Sequence, residues 1–337
     1  MNKLPFENVK RNVLVRKEAQ TSADFGTYPE KRPSDFILKY GIVNIDKPKG
    51  PTSHQVADFV QKILGIDKSG HSGTLDPQVT GVLPVALGHA TRIVQTLLNA
   101  GKEYICLMHL HKPIPEDRLK SVFEQFTGKI RQMPPIRSSV KRQLRTREIY
   151  YIELREMDKQ DVLFRVGCQA GTYIRKLCFD MGQKIGCGAH MAELRRTKAA
   201  CFDETTSVTL QDLTDAFSYY KEGNEKPIRK LIQPIENALV HLPKIWVFDT
   251  TIESLCHGSD LKVPGISKVH SGIQKEYDVA VMSLKGELIA LGISKMTPKE
   301  MLGEKGVAVK TKKVFMLPGT YGMPSLKKEK LPDKIGN

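Results

Sequence analysis

A chain of 337 residues, 40% of them apolar, is long enough for two domains and can fill a sizeable core, which excludes a wholly disordered protein. The formal net charge of +15, from 52 Lys and Arg against 37 Asp and Glu, favours a polyanionic partner, with nucleic acid ahead of an anionic membrane surface. No run of 18 apolar residues argues for a membrane-spanning helix, and no leader-like segment opens the chain, so a soluble, cytoplasmic protein is expected. Six cysteines without a Cys-x-x-Cys pair read as reduced core residues and not as a disulfide framework or zinc site.

Residues 1–40 are mixed and polar, with prolines at Pro5, Pro29 and Pro33, and read as an arm without a core of its own. The first core segment is the strand GIVNID, 41–46, followed by the loop KPKGPTS. Thr52 or Ser53 then caps a helix with Val56, Phe59, Val60, Ile63 and Leu64 on its apolar face and Gly65 at its end. Residues 66–88 show no helical or alternating pattern until VLPVAL, and they carry His71 and Asp76. A long irregular stretch of this kind stays ordered only if it is anchored, which marks it as a site candidate. A second helix is expected over 91–100, a strand over 104–111, and a third helix after Pro115, burying Leu119, Val122, Phe123 and Phe126.

Between Arg137 and Arg147 lie five basic residues (Arg137, Lys141, Arg142, Arg145 and Arg147) and no acidic one. The segment reads either as a solvated basic loop or as a phosphate clamp, and the overall charge favours the clamp. Strands at 148–154 and 161–168 form a hairpin around MDKQ. A helix begins at Thr172, with Arg175 in its first turn. A cation is poorly placed there against the helix dipole, which suggests a carboxylate or phosphate partner. Next come a glycine-containing turn, a short element ending in Arg195 and Arg196, and a less regular region over 206–235. A domain boundary falls near 236–245. Beyond it, short strands with glycine turns, including a hairpin turn at 285–287, suggest a small β-barrel-like domain and then a frayed tail, 321–337.

Asp76, in GHSGTLDP, could bind a cation, act as a base or attack carbon, although a lone aspartate in a turn is more often a local cap. Arg175 could hold such a carboxylate ionised, and Tyr104 could be a stacking platform or a structural tyrosine. Spacing alone does not bring the three together.

Seven blocks in order carry a resemblance over about residues 24–320: FGTYPEKRP, NIDKPKGPTSHQV, GHSGTLDPQVTGVLP, GKEYICLMHLH, RQMPPIRSSVKRQLRTREIYYIEL, GTYIRKL and AHMAELRRT. The chain resembles the TruB/dyskerin pseudouridine synthases, and within them the archaeal H/ACA ribonucleoprotein branch. The resemblance implies an α+β catalytic domain over 41–240, its central mixed, mainly antiparallel sheet flanked by helices, and a PUA domain over 241–320 on which the 1–40 arm packs. It implies Asp76 as nucleophile toward a flipped uridine, Tyr104 stacked on the target base, and Arg175 paired with the aspartate. Leu194 would form the pocket wall, Lys47 and Pro48 would support the catalytic loop, and His71 would order it or nearby RNA. Residues 137–147 would be a thumb loop over the substrate, and His257 and Lys262 would lie in the RNA-binding part of the PUA domain. No metal or organic cofactor is implied. The partners implied are a guide RNA, a target RNA and three small proteins: a zinc-ribbon-like one, a β-barrel one and a kink-turn binder. The alternative is a guide-independent synthase acting on the transfer RNA T-loop. In one departure from the family pattern the chain reads KAAC before Phe202, where a glycine is expected.

Overall fold

The computed structural model describes residues 2–134 and 143–322. Described residues 2–10 and 30–241 form one compact unit, and 11–29 with 242–322 form another. The arm is therefore not one body packed on the C-terminal domain. Its first residues join the catalytic unit, where Leu4 is fully buried and Glu7 pairs with Lys198 at 2.7 Å. Residues 34–40, expected to be irregular, form a helix, Ser34–Tyr40, that buries Ile37 and Leu38.

The first unit is built on a ten-stranded sheet. Its path runs Ile232–Pro234, Gly41–Lys47, Thr80–Leu87, Ala189–Ala199, Lys102–Leu110, Asp161–Cys168, Arg145–Asp158 and Gly128–Gln132. Ser69–His71 pairs with Thr80–Leu87, and Phe202–Asp203 pairs with Ala189–Ala199. All these pairings are antiparallel except the junction of Thr80–Leu87 with Ala189–Ala199, where Thr80 and Gly81 run parallel to Arg195 and Arg196. That junction separates two cores. One packs Val43, Ile45, Val56, Val60 and Leu83, and the other Met108, Phe123, Phe164, Leu177 and Met181.

The helix Ser53–Leu64 forms as its pattern predicts. Thr52 and Gln55 make a reciprocal capping box, and Gly65 closes the helix at φ 60°. Phe59, however, is exposed, and Ala57 lies buried beside Val56 and Val60. Two expectations fail further on. Residues 206–235 hold helices Leu210–Lys221 and Lys226–Leu231, the first capped by Thr209 and Asp212 and buried through Leu213 and Ala216. The short element expected near 190–196 is an eleven-residue central strand, Ala189–Ala199. The 91–100 helix is a 3₁₀ segment, Gly88–Ile93, followed by one α-helix, Val94–Asn99.

The KAAC departure has a visible consequence. The hairpin turn after Ala199 places Ala200 at φ 54°, a left-handed conformation that glycine adopts freely and alanine does not. Ala200→Gly should therefore raise stability by about 0.5–1 kcal/mol, the relief of strain outweighing the added freedom of the unfolded chain. A urea melt checks this, and a lowered midpoint would contradict it.

The second unit is a seven-stranded sheet ordered Val13–Val15, Ile266–His270, Lys244–Val247, Asp278–Met282, Leu288–Ser294, Val307–Val314 and Leu261–Lys262. The hairpin turn at 285–287 is present, with Gly286 at φ 82°, and a helix, Asp249–Cys256, lies among the expected strands. All six cysteines are free thiols, and four of them are buried.

Candidate active site

The loop between His71 and Thr80 has little repetitive structure, yet it is pinned on both sides of Asp76. Lys47, with no exposed surface, reaches in from its strand and donates to the carbonyls of Pro48 (2.9 Å), Pro77 (3.1 Å) and Val79 (2.8 Å). Pro77 O also accepts from Gly50 N at 2.9 Å. Ser53 Oγ, at the start of its helix, accepts from Leu75 N at 2.8 Å. Leu75 and Val79 bury their side chains, so the carboxylate between them is turned outward and is 53% exposed.

Arg175 stands in the first turn of Ile174–Ile185 and donates from Nη2 to Asp76 Oδ2. The cation at this helix start therefore has a carboxylate partner. With the Arg175 side chain 58% exposed, the pair contributes little to stability, and its open geometry leaves both groups available to a ligand. Tyr104 is half-buried on Lys102–Leu110, opposite Arg196 in the sheet register. Burial pushes its phenol up, the charge of Arg196 pulls the other way, and the Asp76 carboxylate raises it further, so the tyrosine lies within the field of the aspartate. Leu194, opposite Cys106 on the neighbouring strand, packs with Tyr104 against the same core. The fold thus gathers Asp76, Arg175, Tyr104, Leu194 and Lys47 at the parallel junction of the sheet. The arrangement offers one accessible carboxylate held by a cation, with an aromatic hydroxyl in its field.

His71 accepts from Gly73 N at 3.3 Å through Nδ1 and meets the His54 ring edge-on at 4.5 Å. Burial, then the charges of His54 and Arg196, push it down to about 4. Because the unfolded imidazole titrates near 6.5, the unfolded chain holds more protons between these values, and stability falls as pH drops from 6.5 to 4. The loss through His71 should be about 1–2 kcal/mol after allowing for partial exposure. His71→Gln should flatten that part of the stability–pH curve, and an unchanged curve would contradict the assignment.

Arg196 and Lys102 of this neighbourhood carried no separate sequence signal, and Ser53 was expected only as a possible helix cap, a place that Thr52 takes. Lys102 donates to Leu97 O, Leu98 O and Ala100 O at 2.7–2.8 Å, and burial, then Arg196, pushes it down to about 7.

Family models match nearly the whole chain. TruB family pseudouridylate synthase (N terminal domain) matches residues 61–116 and 111–174, and tRNA pseudouridylate synthase B C-terminal domain matches 175–240. A DKCLD domain matches 2–57 and a PUA domain 243–315. The protein described as probable tRNA pseudouridine synthase B of Methanopyrus kandleri is 52% identical over 321 residues, 95% of each chain. That of Thermococcus onnurineus is 56% identical over 313 residues, 92% of this chain and 94% of its own. The chain belongs to the TruB family of pseudouridine synthases. It is an RNA isomerase with a pseudouridine synthase fold and a PUA domain. Two solved structures are similar over 95% of the chain: a Cbf5-Nop10-Gar1 complex (TM-score 0.91, 53% identity, 98% of that chain) and an H/ACA RNP bound to a substrate RNA containing 2′-deoxyuridine (0.90, 50%, 99%).

The remaining expected RNA contacts of this synthase are dispersed. Arg137, Lys141 and Arg142 lie outside the described residues. Arg145 and Arg147 belong to a strand paired with Gly128–Gln132, so the end of the expected thumb loop is sheet, and Arg147 Nε donates to Gly171 O at 3.2 Å. In the PUA domain, His257 ends a helix and meets Glu253 at 3.0 Å, while Lys262 is exposed. Among the described residues of the synthase, no group of three or more His, Cys, Asp or Glu could hold a metal ion, and no helix is long and apolar enough to cross a membrane.

Proposed function

We propose that the chain converts uridine to pseudouridine at positions chosen by a guide RNA, as the catalytic subunit of an H/ACA-type ribonucleoprotein acting on ribosomal RNA. The observation that carries this reading is the likeness, at TM-scores of 0.91 and 0.90 over 95% of the chain, to chains solved in a Cbf5-Nop10-Gar1 complex and in an H/ACA RNP with substrate RNA. Its partners are then a guide RNA, a target RNA and the three small proteins. The curated relatives, described as probable tRNA pseudouridine synthase B, favour a second reading in which the chain also modifies transfer RNA by itself.

In the reaction the N1–C1′ bond of uridine breaks, a C5–C1′ bond forms, the C5 proton leaves and N1 gains a proton. Nothing is oxidised or reduced. Asp76 is the nucleophile of this isomerisation: its exposed carboxylate, fixed by the pinned loop and paired with Arg175, attacks the flipped nucleotide. Tyr104 and Leu194 form the surface against which the base turns.

Two guide RNAs programmed for two different uridines of one target test the main reading. The modified position should follow the guide. Modification at one fixed position with either guide, or of transfer RNA only, would reject guidance and leave the second reading.

The basic segment serves as a clamp on RNA phosphates. Arg142→Gln with Arg145→Gln should weaken RNA binding and reduce the slope of log K against log salt by about 1–2. Filter binding at several salt concentrations measures both, and an unchanged slope would remove the clamp.

A further inference from the structure

We propose that Arg196 is a positioning residue of this site, aligning the Tyr104 phenol and the Asp76 loop through a single guanidinium. The proposal rests on the roles given above to Asp76 and Tyr104.

The sheet is modified locally to place this side chain. Between Ala189–Ala199 and Lys102–Leu110, Glu103 faces Lys198 and Tyr104 faces Arg196, leaving Thr197 as an extra residue. Such a bulge re-aims side chains. Arg196 and Thr197 are consecutive and both buried, 1% and 8% exposed, whereas neighbours in a regular strand face opposite sides. Thr197 turns to Glu103, with 2.8 Å between Oγ1 and Oε1, and Arg196 lies opposite Tyr104 in the register. Across the parallel junction the Arg196 backbone lies against Gly81, where a Cβ would come within 2.2 Å of Arg196 O at φ +104°. Only glycine permits that approach.

The guanidinium then acts on three groups. Nε donates to Val82 O at 2.7 Å, Nη2 donates to Gly73 O at 3.2 Å, and the Tyr104 phenol, opposite Arg196 in the strand register, lies within the field of its charge. Gly73 lies three residues before Asp76, so one rigid fork holds the catalytic loop from a position opposite Tyr104. Among the described residues no carboxylate forms an ion pair with Arg196. A buried cation without a counter-anion is costly, which sets this residue apart from Arg195, paired with Asp46 and Glu204. A guanidinium can only donate, so in the proposed alignment the Tyr104 oxygen accepts from it and the phenol's own proton points away from Arg196. Arg196 thereby fixes both the place of the hydroxyl and the direction in which it donates.

The test is a double-mutant cycle on single-turnover pseudouridine formation by the full chain, guided or on transfer RNA, whichever the wild type supports. Arg196→Lys keeps the charge and loses the fork. It should slow turnover by about 30–100-fold with RNA affinity within about threefold. In a Tyr104→Phe background the same change should cost at least about threefold less, because the hydroxyl is gone and only the contact with the Asp76 loop through Gly73 O is left to lose. Equal factors in both backgrounds would overturn the proposal. So would loss of a cooperative melt in both Arg196→Lys and Arg196→Gln, since the side chain would then be required by the fold itself. Asp76→Asn is run beside them: near-normal turnover there would reject the site reading, whereas an inactive Asp76→Asn with a multiplicative cycle rejects Arg196 alone.

Discussion

Asp76→Asn should abolish pseudouridine formation, with a loss of at least ~10³-fold, while RNA affinity stays within about threefold. The amide has the size of the carboxylate and the loop that carries it is held by other groups: Lys47 on Pro77 and Val79, and Ser53 on Leu75. The substitution therefore removes charge and nucleophilicity without removing the scaffold. Arg175 loses its anionic partner, but at 58% exposure its guanidinium can be hydrated, so little stability should be lost. Single-turnover rates and binding isotherms on the same RNA separate the two effects. A variant that binds normally and turns over within tenfold of the wild type would remove Asp76 from the chemistry.

Lys47→Met should have the second largest effect, and of a different kind. The ammonium is fully buried and its three acceptors are backbone carbonyls, two of them, Pro77 and Val79, directly after Asp76 in the catalytic loop and the third its own neighbour Pro48. Methionine fills the space and leaves those oxygens without a donor. Hydrogen bonds from a charged group are worth about 1.5–3 kcal/mol each, but removing the ammonium also recovers its cost of burial, so a net loss of about 3 kcal/mol is expected. A carboxylate displaced by even ~1 Å should slow turnover by about 10²-fold. Denaturant melts and single-turnover rates together should show both losses, in contrast to Asp76→Asn, which should show only the second. Full activity with a lowered melting point would mean that Lys47 serves the fold and not the placement of Asp76.

Local signals were legible where they decide the outcome. Thr52, the 3.6-residue spacing of Val56, Val60 and Leu64, and Gly65 specify a helix, and the alternation of Val162, Phe164, Val166 and Cys168 gives a strand with the expected limits, Asp161–Cys168. Distant partners decide the elements that were missed. Leu210–Lys221 buries only Leu213 and Ala216 fully, and Phe217 and Tyr220 find their place against a core built from Val56 and Val60. Ala189–Ala199 is hidden in sequence by Glu193, Arg195, Arg196 and Lys198, yet it lies at the centre of the sheet because Lys102–Leu110 and Thr80–Leu87 pair with it. The arm's first residues are attached through buried Leu4, the Phe6–His241 ring contact and the Glu7–Lys198 pair, too few positions to form a pattern in the sequence. In the site, the Asp76 and Arg175 pair was accessible through the motif blocks, whereas Arg196 acquires its surroundings from a bulge and a strand junction that no short stretch encodes.

The measurement that tests the central claim most directly is tritium release from target RNA carrying uridine tritiated at C5. Moving the sugar onto C5 expels that hydrogen to water. The wild-type chain, assembled with guide RNA and the three small proteins, should release tritium in step with pseudouridine formed at the guided position, and the Asp76→Asn assembly should release none. Tight RNA binding by the wild type without release, or equal release from both assemblies, would contradict the account.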